Sequence, residues 1–354
     1  MQKPKIAVLF GGCSSEYGIS LQSAYGVITH MDNEKYDPVL FGITRSGEWF
    51  RFSGPPEKIK NDDWNNPDDC VNAIISPDRE THGALIFDKD GPSHMRLDAA
   101  MPVLHGKNGE DGTVQGLLEL AGIPVVGCDT LASALCMDKD KAHRIVNSVG
   151  VRVPHAFTLK GGSDMKTSLH MAKNIGYPLF VKPVSSGSSY GITKVLCESE
   201  LPAAVTLALE YGDEVIIEEN IPGFEVGCSV LGGDCLIVGA VDEIELGIDA
   251  SQNSFFDYDE KYFRATARIH LPARISGHKA EEIKETARVI YKALGCSGFA
   301  RVDMFLTPDG EIVFSEVNTI PGFTGNSRYT NMFKAADMAF EQVVDKIIET
   351  AVRA

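Results

Sequence analysis

Residues 300–318, ARVDMFLTPDGEIVFSEVN, predict two β-strands joined by a tight turn. Val, Phe, Ile and Met dominate both halves, and the intervening Thr-Pro-Asp-Gly is typical of a turn. The second strand nevertheless carries Glu316 and Asn318. Because an unpaired charge inside a protein is costly, these side chains need partners.

The partners are expected on the first strand of this hairpin. With the turn centred on its Pro-Asp pair, Arg301 lies opposite Glu316, and Asp303 lies opposite Phe314. Side chains alternate along a strand, so both share one face with Glu316 and Asn318. Two close carboxylates repel each other unless a cation lies between them, and Mg²⁺ prefers such oxygen ligands. The pattern predicts a magnesium site, with a structural Arg301–Glu316 salt bridge as an equal alternative at this point.

Length and charge limit the class of protein. A chain of 354 residues is long enough for two or three domains. Its 33 Lys and Arg against 49 Asp and Glu give a net charge of −16, which argues against nucleic acid or an anionic membrane as partner. The sequence predicts neither a membrane span nor a signal peptide, and its eight cysteines form no CxxC pair. We therefore expect a cytoplasmic protein with reduced, mostly buried thiols.

The order of the predicted elements indicates an α/β protein. Strands alternate with helices over residues 1–127, including a strand at 123–127, which is typical of a parallel sheet. The Pro-, Asp- and Asn-rich stretch 52–95 is expected to form loops and edge strands. Helices are expected at 138–148 and, at the end of the chain, from about Asn331.

A loop that suits phosphate lies between two strands of a predicted hairpin. KPVSSGSSYG, residues 182–191, has four serines and two glycines whose hydroxyl and backbone N–H groups suit phosphate oxygens. Lys182 adds a positive charge, and Lys139, in MDKDKAH, is a second candidate. In isolation, a plain flexible loop and a solvated lysine at a helix start are the stronger interpretations. Neither a Walker A motif nor the G-x-G-x-x-G dinucleotide pattern is present.

Two further polar loops follow predicted strands, where open α/β sheets bind their ligands. They are GGCSSEYG and HGKNGEDG. The first precedes a predicted helix whose N-terminus suits a carboxylate. For the second loop, a simple capping role is the alternative.

Seven motifs, taken in order, resemble those of the D-alanine–D-alanine ligase family, which has the ATP-grasp fold. They are GGCSSEYGIS, PVLHGKNGEDGTVQG, MDKDKAH, FVKPVSSGSSYG, IIEENIPGFEV, FFDYDEKY, and ARVDMF with EVNTIPGFTGNSRY, and they cover nearly the whole chain. The short segments LCMDKD, NGEDGT and SRY are most similar to the vancomycin-resistance members, notably the D-alanine–D-serine ligases of the G type.

The resemblance implies an α/β (α+β) chain with three domains. These are an N-terminal Rossmann-like parallel α/β domain at 1–128, a small central α+β domain at 129–214, and a C-terminal antiparallel-sheet domain with helices at 215–354. The C-terminal domain is expected to carry a lid loop at 246–264. In the family, ATP phosphorylates the carboxylate of a first D-alanine, and the amine of a second D-amino acid attacks the acyl phosphate. The tetrahedral intermediate collapses to a dipeptide and phosphate.

The resemblance also implies cofactors, partners and residue roles. It implies ATP, two Mg²⁺ ions for which Mn²⁺ can substitute, small-molecule D-amino acids and a homodimer. The implied metal ligands are Asp303, Glu316 and Asn318, with Glu316 bridging the ions. The implied ATP ligands are Lys139, Lys182 and Lys261 on the phosphates, Glu218, Glu219 and Ile221 along the adenine, and Glu225 on the ribose. The implied catalytic groups are Glu16 for the first ammonium, Arg301 and the Gly322 N–H for the oxyanion, and Ser188 with Tyr262 and Glu16 for lid closure.

The second substrate is expected to be D-serine, with D-alanine as the alternative. Ser327 and Arg328 match the region that holds it, and Arg328 stands where many D-alanine ligases have Leu or Met. A guanidinium favours the serine hydroxyl, unless Arg328 only pairs with an acid. Tyr262, absent from D-lactate-forming members, argues against D-lactate. Gly18 and Asn326 depart from the family's usual Glu and His or Tyr.

Other functions are weaker alternatives. A biotin-carboxylase-like ATP-grasp ligase shares a metal hairpin but is not expected to contain GGCSSEYGIS or FFDYDEKY. A catalytically silent sensor would bind ATP without turnover. A dehydrogenase is disfavoured because the glycine fingerprint is missing. Within the ligase family, the sequence leaves open whether the role is ordinary cell-wall (peptidoglycan) synthesis or vancomycin resistance.

Overall fold

A computed structural model describes residues 3–187, 190–245 and 268–352 of the chain. Within these residues the strands form three sheets, of seven, four and five strands, which follow one another along the chain. The predicted lid loop at 246–264 lies outside the described residues. None of the described helices combines the length and the apolar character that crossing a bilayer would require.

The first sheet contains a parallel centre with an antiparallel extension. Its strands, β1 to β7, are Lys5–Gly11, Asp37–Ile43, Trp49–Phe52, Cys70–Ile75, Gly83–Asp88, Gly91–Arg96 and Ala99–Pro102. β1 pairs in parallel with β2 and β7, whereas each pairing from β2 to β6 is antiparallel. The parallel prediction for 1–127 therefore holds only for the centre. The stretch 52–95 supplies β4, β5 and β6. These strands are antiparallel because a short connection returns the chain beside the strand that it has just left.

One predicted strand of this region is wrong. Residues 123–127 make a single bridge, Val125 to Ala100, instead of a strand. Pro124 lies in this stretch, and proline removes a backbone donor from a potential ladder.

The first helices bring polar residues to the carboxyl ends of β1 and β7. In chain order, α1 to α5 are Tyr17–His30, Pro56–Lys60, Thr113–Leu120, Thr130–Met137 and Lys139–Ser148. α1 is the helix predicted after GGCSSEYG, and it buries Leu21, Ala24 and Val27 against the sheet. Asp138 ends α4 and caps α5, where its side chain accepts a hydrogen bond from the Lys141 N–H.

The second sheet is small and antiparallel. Its strands, β8 to β11, are Ala156–Lys160, Leu179–Pro183, Thr193–Val195 and Glu214–Glu219, in the order β10-β9-β11-β8. Helices α6 and α7, Met165–Ile175 and Leu201–Leu209, pack on it. The predicted hairpin that contains the Gly/Ser loop is confirmed by the antiparallel pairing of β9 with β10.

The third sheet carries the hairpin on which the fold prediction was based. Its strands, β12 to β16, are Phe224–Leu231, Ile237–Glu245, Arg268–His270, Phe299–Leu306 and Ile312–Asn318, in the order β14-β13-β12-β15-β16. Helix α8, Gly277–Ala293, packs against it. The predicted final helix is two helices, α9 at Arg328–Lys334 and α10 at Phe340–Val352. α10 shares a core with α1, which connects the two ends of the chain.

The hairpin is confirmed, but its predicted register is wrong. Leu306 pairs with Ile312, so the turn is one residue longer than expected. A β-bulge between Asp303 and Met304 adds a second shift, and Arg301 consequently lies opposite Asn318 instead of Glu316. Two one-residue shifts restore the original face of each strand, because a single shift would turn every side chain over.

All eight cysteines are free thiols. Four of them, Cys128, Cys136, Cys228 and Cys296, are buried, and three are exposed. Free thiols agree with the expected reduced state. The expectation that most cysteines are buried holds for only four of the eight.

Candidate active site

Two cavities meet at the β15–β16 hairpin. The first, of about 550 Å³, lies between α1, the loop after β7 and the segment 316–328. The second, of about 540 Å³, lies between the second and third sheets. Lys139, Ser186 and Glu316 line both cavities. A molecule that spans them would therefore place its central part beside a lysine and a carboxylate.

The second cavity suits a flat aromatic ring with polar edges. Its apolar walls include Phe180, Ile192, Phe224, Ile244 and Phe305. Lys182 forms an ion pair with the buried Glu218. The second carboxylate oxygen of Glu218 accepts no hydrogen bond within the described residues. An orphaned buried acceptor is costly, so this oxygen is available to a ligand donor.

The polar face of the hairpin joins both cavities. Asp303 accepts hydrogen bonds from Arg301, at 2.8 Å from Nε and 2.6 Å from Nη2, and from the Asn318 amide nitrogen at 2.9 Å. Asp303 and Glu316 occupy directly opposite positions on β15 and β16. The guanidinium thus pairs with Asp303, in contrast to the predicted alternative of an Arg301–Glu316 bridge.

This donor set fits a magnesium ion. No group of three or more His, Cys, Asp and Glu side chains suited to a metal occurs in the described parts of the chain, as expected for a site with two carboxylates and one amide. The Asn318 nitrogen is directed to Asp303, which leaves the amide oxygen for a cation. Mg²⁺ takes one or two carboxylates and completes its shell with water and phosphate. The place where the two cavities meet leaves room beside these side chains for water and phosphate oxygens.

Lys139 is buried at the first position of α5, so the interpretation of a solvated lysine is wrong. Its ammonium donates to the Ser186 carbonyl oxygen at 2.7 Å and lies 3.7 Å from Glu316. The Asp138 cap sets the start of α5 and thereby the position of Lys139 as its first residue. The lysine therefore links the Gly/Ser loop with the hairpin carboxylates.

Two loops approach Glu16, which lies at the N-terminus of α1 and is buried. A Cβ at Gly106 would lie 2.6 Å from the Glu16 carboxylate, and one at Gly187 would lie 3.2 Å from it. The carboxylate thus contacts the backbone of the loop after β7 and of the Gly/Ser loop. A close approach of backbone to a functional group is a typical reason for glycine.

Glu110 also faces the first cavity. Burial, followed by the neighbouring Glu16 carboxylate, raises the pKa of Glu110 to about 8. Its two oxygens accept from the Gly106 N–H at 2.8 Å and from the Ile320 N–H at 3.3 Å. The HGKNGEDG loop was expected near a ligand, but its glutamate was not selected. An acid in a Gly-rich loop after a strand was the available signal.

Arg328 pairs with acids, as the predicted alternative required. It donates to Asp242 at 2.7 Å and 2.8 Å and to Glu225 at 3.0 Å. These contacts use three of its five N–H groups, and the side chain still lines the first cavity beside Ser327. Asp242 was missed by sequence reasoning, although an acid that directly follows the apolar run IVGAV needs a partner just as Glu316 does.

The remaining predicted site residues divide into two sets. Glu218, Glu219, Ile221 and Glu225 line the second cavity, and Gly322 and Ser327 line the first. Ser188, Lys261 and Tyr262 lie outside the described residues.

Comparison with known proteins assigns a class and then a family. The profile "D-ala D-ala ligase N-terminus" matches residues 5–128, and "D-ala D-ala ligase C-terminus" matches residues 145–349. The three sheets are those of the ATP-grasp fold, as in solved D-alanine–D-alanine ligases. The chain belongs to the D-alanine–D-alanine ligase family.

Three similar proteins have three different second substrates in their names. The structure of VanG D-Ala:D-Ser ligase from Enterococcus faecalis has a TM-score of 0.92 and 53% identity, covering 99% of this chain and 100% of that one. A putative D-alanine–D-lactate ligase of Streptomyces coelicolor is 43% identical over 99% of this chain and 98% of its own length. A D-alanine–D-alanine ligase of Thermoanaerobacter is 40% identical, over 99% and 97%.

Proposed function

We propose that this chain uses ATP and Mg²⁺ to join D-alanine to a second D-amino acid, preferably D-serine. The observation that carries the proposal is the meeting of the two cavities at Asp303, Glu316 and Asn318. A nucleotide in one cavity and an amino acid in the other would have their reacting groups at this face. Phosphoryl transfer depends mainly on positioning and charge neutralisation.

In this proposal ATP binds in the second cavity. The base lies between the apolar walls, along the backbone of Glu218, Glu219 and Ile221, and Glu225 binds the ribose. Lys139 and Lys182 bind the phosphates, with Lys261 from the predicted lid. Asp303, Glu316 and Asn318 would hold two Mg²⁺ ions, with Glu316 as the ligand that both ions share. When bound, Mg²⁺ neutralises the charge on the phosphates.

The first D-alanine binds in the first cavity, with its ammonium at Glu16. Its carboxylate oxygen attacks the γ-phosphorus of ATP, and ADP leaves. The amine of the second substrate then attacks the acyl carbon, and phosphate leaves from the tetrahedral intermediate. Arg301 and the Gly322 N–H stabilise the oxyanion. Closure by Ser188, Tyr262 and residues 246–264 excludes water from the acyl phosphate.

The preference for D-serine rests on Arg328 and on likeness to the VanG enzyme. The guanidinium lines the first cavity, where its Nη2 also lies 3.5 Å from Asp303, and two of its N–H groups are not used by Asp242 or Glu225. A donor placed for a hydroxyl discriminates strongly, because it remains unpaired with D-alanine. D-alanine is the alternative, and Tyr262 argues against D-lactate.

The proposal includes a domain division at 1–128, 129–214 and 215–354. β11 pairs in the second sheet and therefore crosses the second boundary. We further propose a cytoplasmic homodimer that makes a precursor dipeptide for peptidoglycan.

Competition between D-alanine and D-serine tests the preference. Purified protein with ATP, Mg²⁺, D-alanine and equal D-serine should yield mainly the mixed dipeptide, measured by mass spectrometry at several pH values. The range of pH is needed because the attacking amine must lose its proton. Arg328→Leu should lower the ratio of D-serine to D-alanine incorporated; an unchanged ratio would assign Arg328 to its ion pairs alone. Because the ratio is internal to each sample, partial unfolding of the variant does not affect it.

A further inference from the structure

The segment 320–323, Ile-Pro-Gly-Phe, is held by side chains from a distant part of the chain. The Phe323 N–H donates to the Ser23 hydroxyl oxygen at 3.2 Å, and the Ile320 N–H donates to Glu110 at 3.3 Å. Pro321 has no N–H. Within the described residues, the Gly322 N–H is the one donor of this segment without a protein acceptor, and Gly322 lines the first cavity.

Ser23, which holds the Phe323 N–H, also contacts His105. The Ser23 hydroxyl lies 2.9 Å from His105 Nε2. A neutral imidazole has one donor and one acceptor, so the ring can hold this hydroxyl without a charge. The Ser23 oxygen in turn accepts from Phe323.

Two members of this hydrogen-bonded set are buried. Ser23 is fully buried, and His105 is 5% exposed. Burial lowers the pKa of His105 to about 4, which keeps the ring neutral. The three side chains lie on α1 and on the loop after β7, far in sequence from the segment that they hold. They therefore hold the backbone around Gly322 in place relative to the first sheet.

We propose that Ser23, His105 and Glu110 are positioning residues that direct the Gly322 N–H at the oxyanion of the tetrahedral intermediate. This inference rests on the proposed function, because it assumes that an oxyanion forms beside Gly322. Preorganised donors account for much of the catalytic effect of such sites, and a small misplacement reduces the rate strongly. Ser327 packs beside Gly322, since a Cβ there would lie 2.8 Å from Ser327 Oγ.

Ser23→Ala tests the proposal, with Ser133→Ala as control. Ser133 is equally buried, on α4, and its hydroxyl bonds to the Cys128 carbonyl outside the segment 320–323. Ser23→Ala should lower kcat about 10-fold, less than the 10²–10³ lost with an oxyanion donor itself, and leave KM for ATP within twofold. Affinity for a phosphinate dipeptide analogue, whose tetrahedral phosphorus imitates the intermediate, should fall by the same factor. Ser133→Ala should change none of these.

A second pair of variants covers the case in which Ser23→Ala does not fold. His105→Gln keeps one donor and one acceptor and should retain more kcat than His105→Ala. Wild-type kcat and analogue affinity in folded Ser23→Ala would overturn the inference, as would equal losses in the two His105 variants. Absence of D-amino-acid-dependent phosphate release from the wild-type protein would instead refute the proposed function.

Discussion

Asp303 lies directly opposite Glu316 across β15 and β16. The pairing depends on a bulge and a longer turn, both of which shift the register by one residue. Together they return the two carboxylates to a common face, where Arg301 and Asn318 bond to Asp303. The arrangement supplies the negative charge that a divalent cation requires.

Glu316→Gln should remove turnover and leave the fold intact. The amide is similar in size but has one oxygen and no charge, so it cannot bridge two cations. Loss of residues that merely support metal ligands costs about 10- to 100-fold, and a ligand should cost at least about 100-fold in kcat. Phosphate release measures this effect. Glu311→Gln, in the turn of the same hairpin, is the matched control, and near-normal activity of Glu316→Gln would refute the metal role.

Gly106→Ala should weaken binding of the first D-alanine. A Cβ there would lie 2.6 Å from the Glu16 carboxylate, and the backbone has φ +75°. The left-handed conformation alone costs about 1–2 kcal/mol for a residue with a Cβ. Gly150→Ala has a similar φ of +85° with nothing within 4 Å, so it isolates that cost. KM for the first D-alanine should rise only in Gly106→Ala. An equal rise of KM in both variants would contradict the role of Glu16 in binding this substrate.

Arg328→Leu should destabilise the protein by about 3–5 kcal/mol, because it leaves a buried charge on Asp242. Asp242→Asn added to Arg328→Leu should recover more than half of that loss, since a neutral amide can keep the bond to the Gly227 N–H. Urea unfolding of the single and double variants measures both effects. A stable Arg328→Leu variant would indicate that the pair is solvated.

Stability should fall with acid partly through His105. Its pKa is lowered from an ordinary 6.5 to about 4 in the folded protein. Between these values the unfolded chain binds a proton that the folded chain does not, so stability is lost as pH falls from 6.5 to 4. His105→Gln should reduce the slope of unfolding free energy against pH by up to about 1.4 kcal/mol per unit. Identical slopes would mean that the imidazole is protonated in the folded state.

Sequence reasoning succeeded where buried charge demanded a partner. Glu316 and Asn318 stood out because their neighbours are apolar, and period-two alternation identified their common face. The register failed because bulges and turn lengths depend on local backbone conformation, such as φ +82° at Gly310, which spacing alone does not specify.

Contacts between distant segments were beyond reach. Pairing of Arg328 with an acid was foreseen as an alternative, but the partner Asp242 was not identified, because it lies 86 residues away in another strand. The prediction of a parallel sheet over residues 1–127 was too wide for a related reason. The stretch 52–95 has a turn-rich composition, yet its short strands gain stability by pairing with β3 and with each other. Glu110 was passed over because only tertiary structure brings it to Ile320.

The most direct test measures phosphate release from ATP with purified protein, D-alanine and D-serine, with and without Mg²⁺. The account predicts one phosphate for each dipeptide formed, dependence on both the metal and the amino acids, and loss of both products in Glu316→Gln. Phosphate release that no D-amino acid stimulates, or that continues undiminished without a divalent cation, would contradict it.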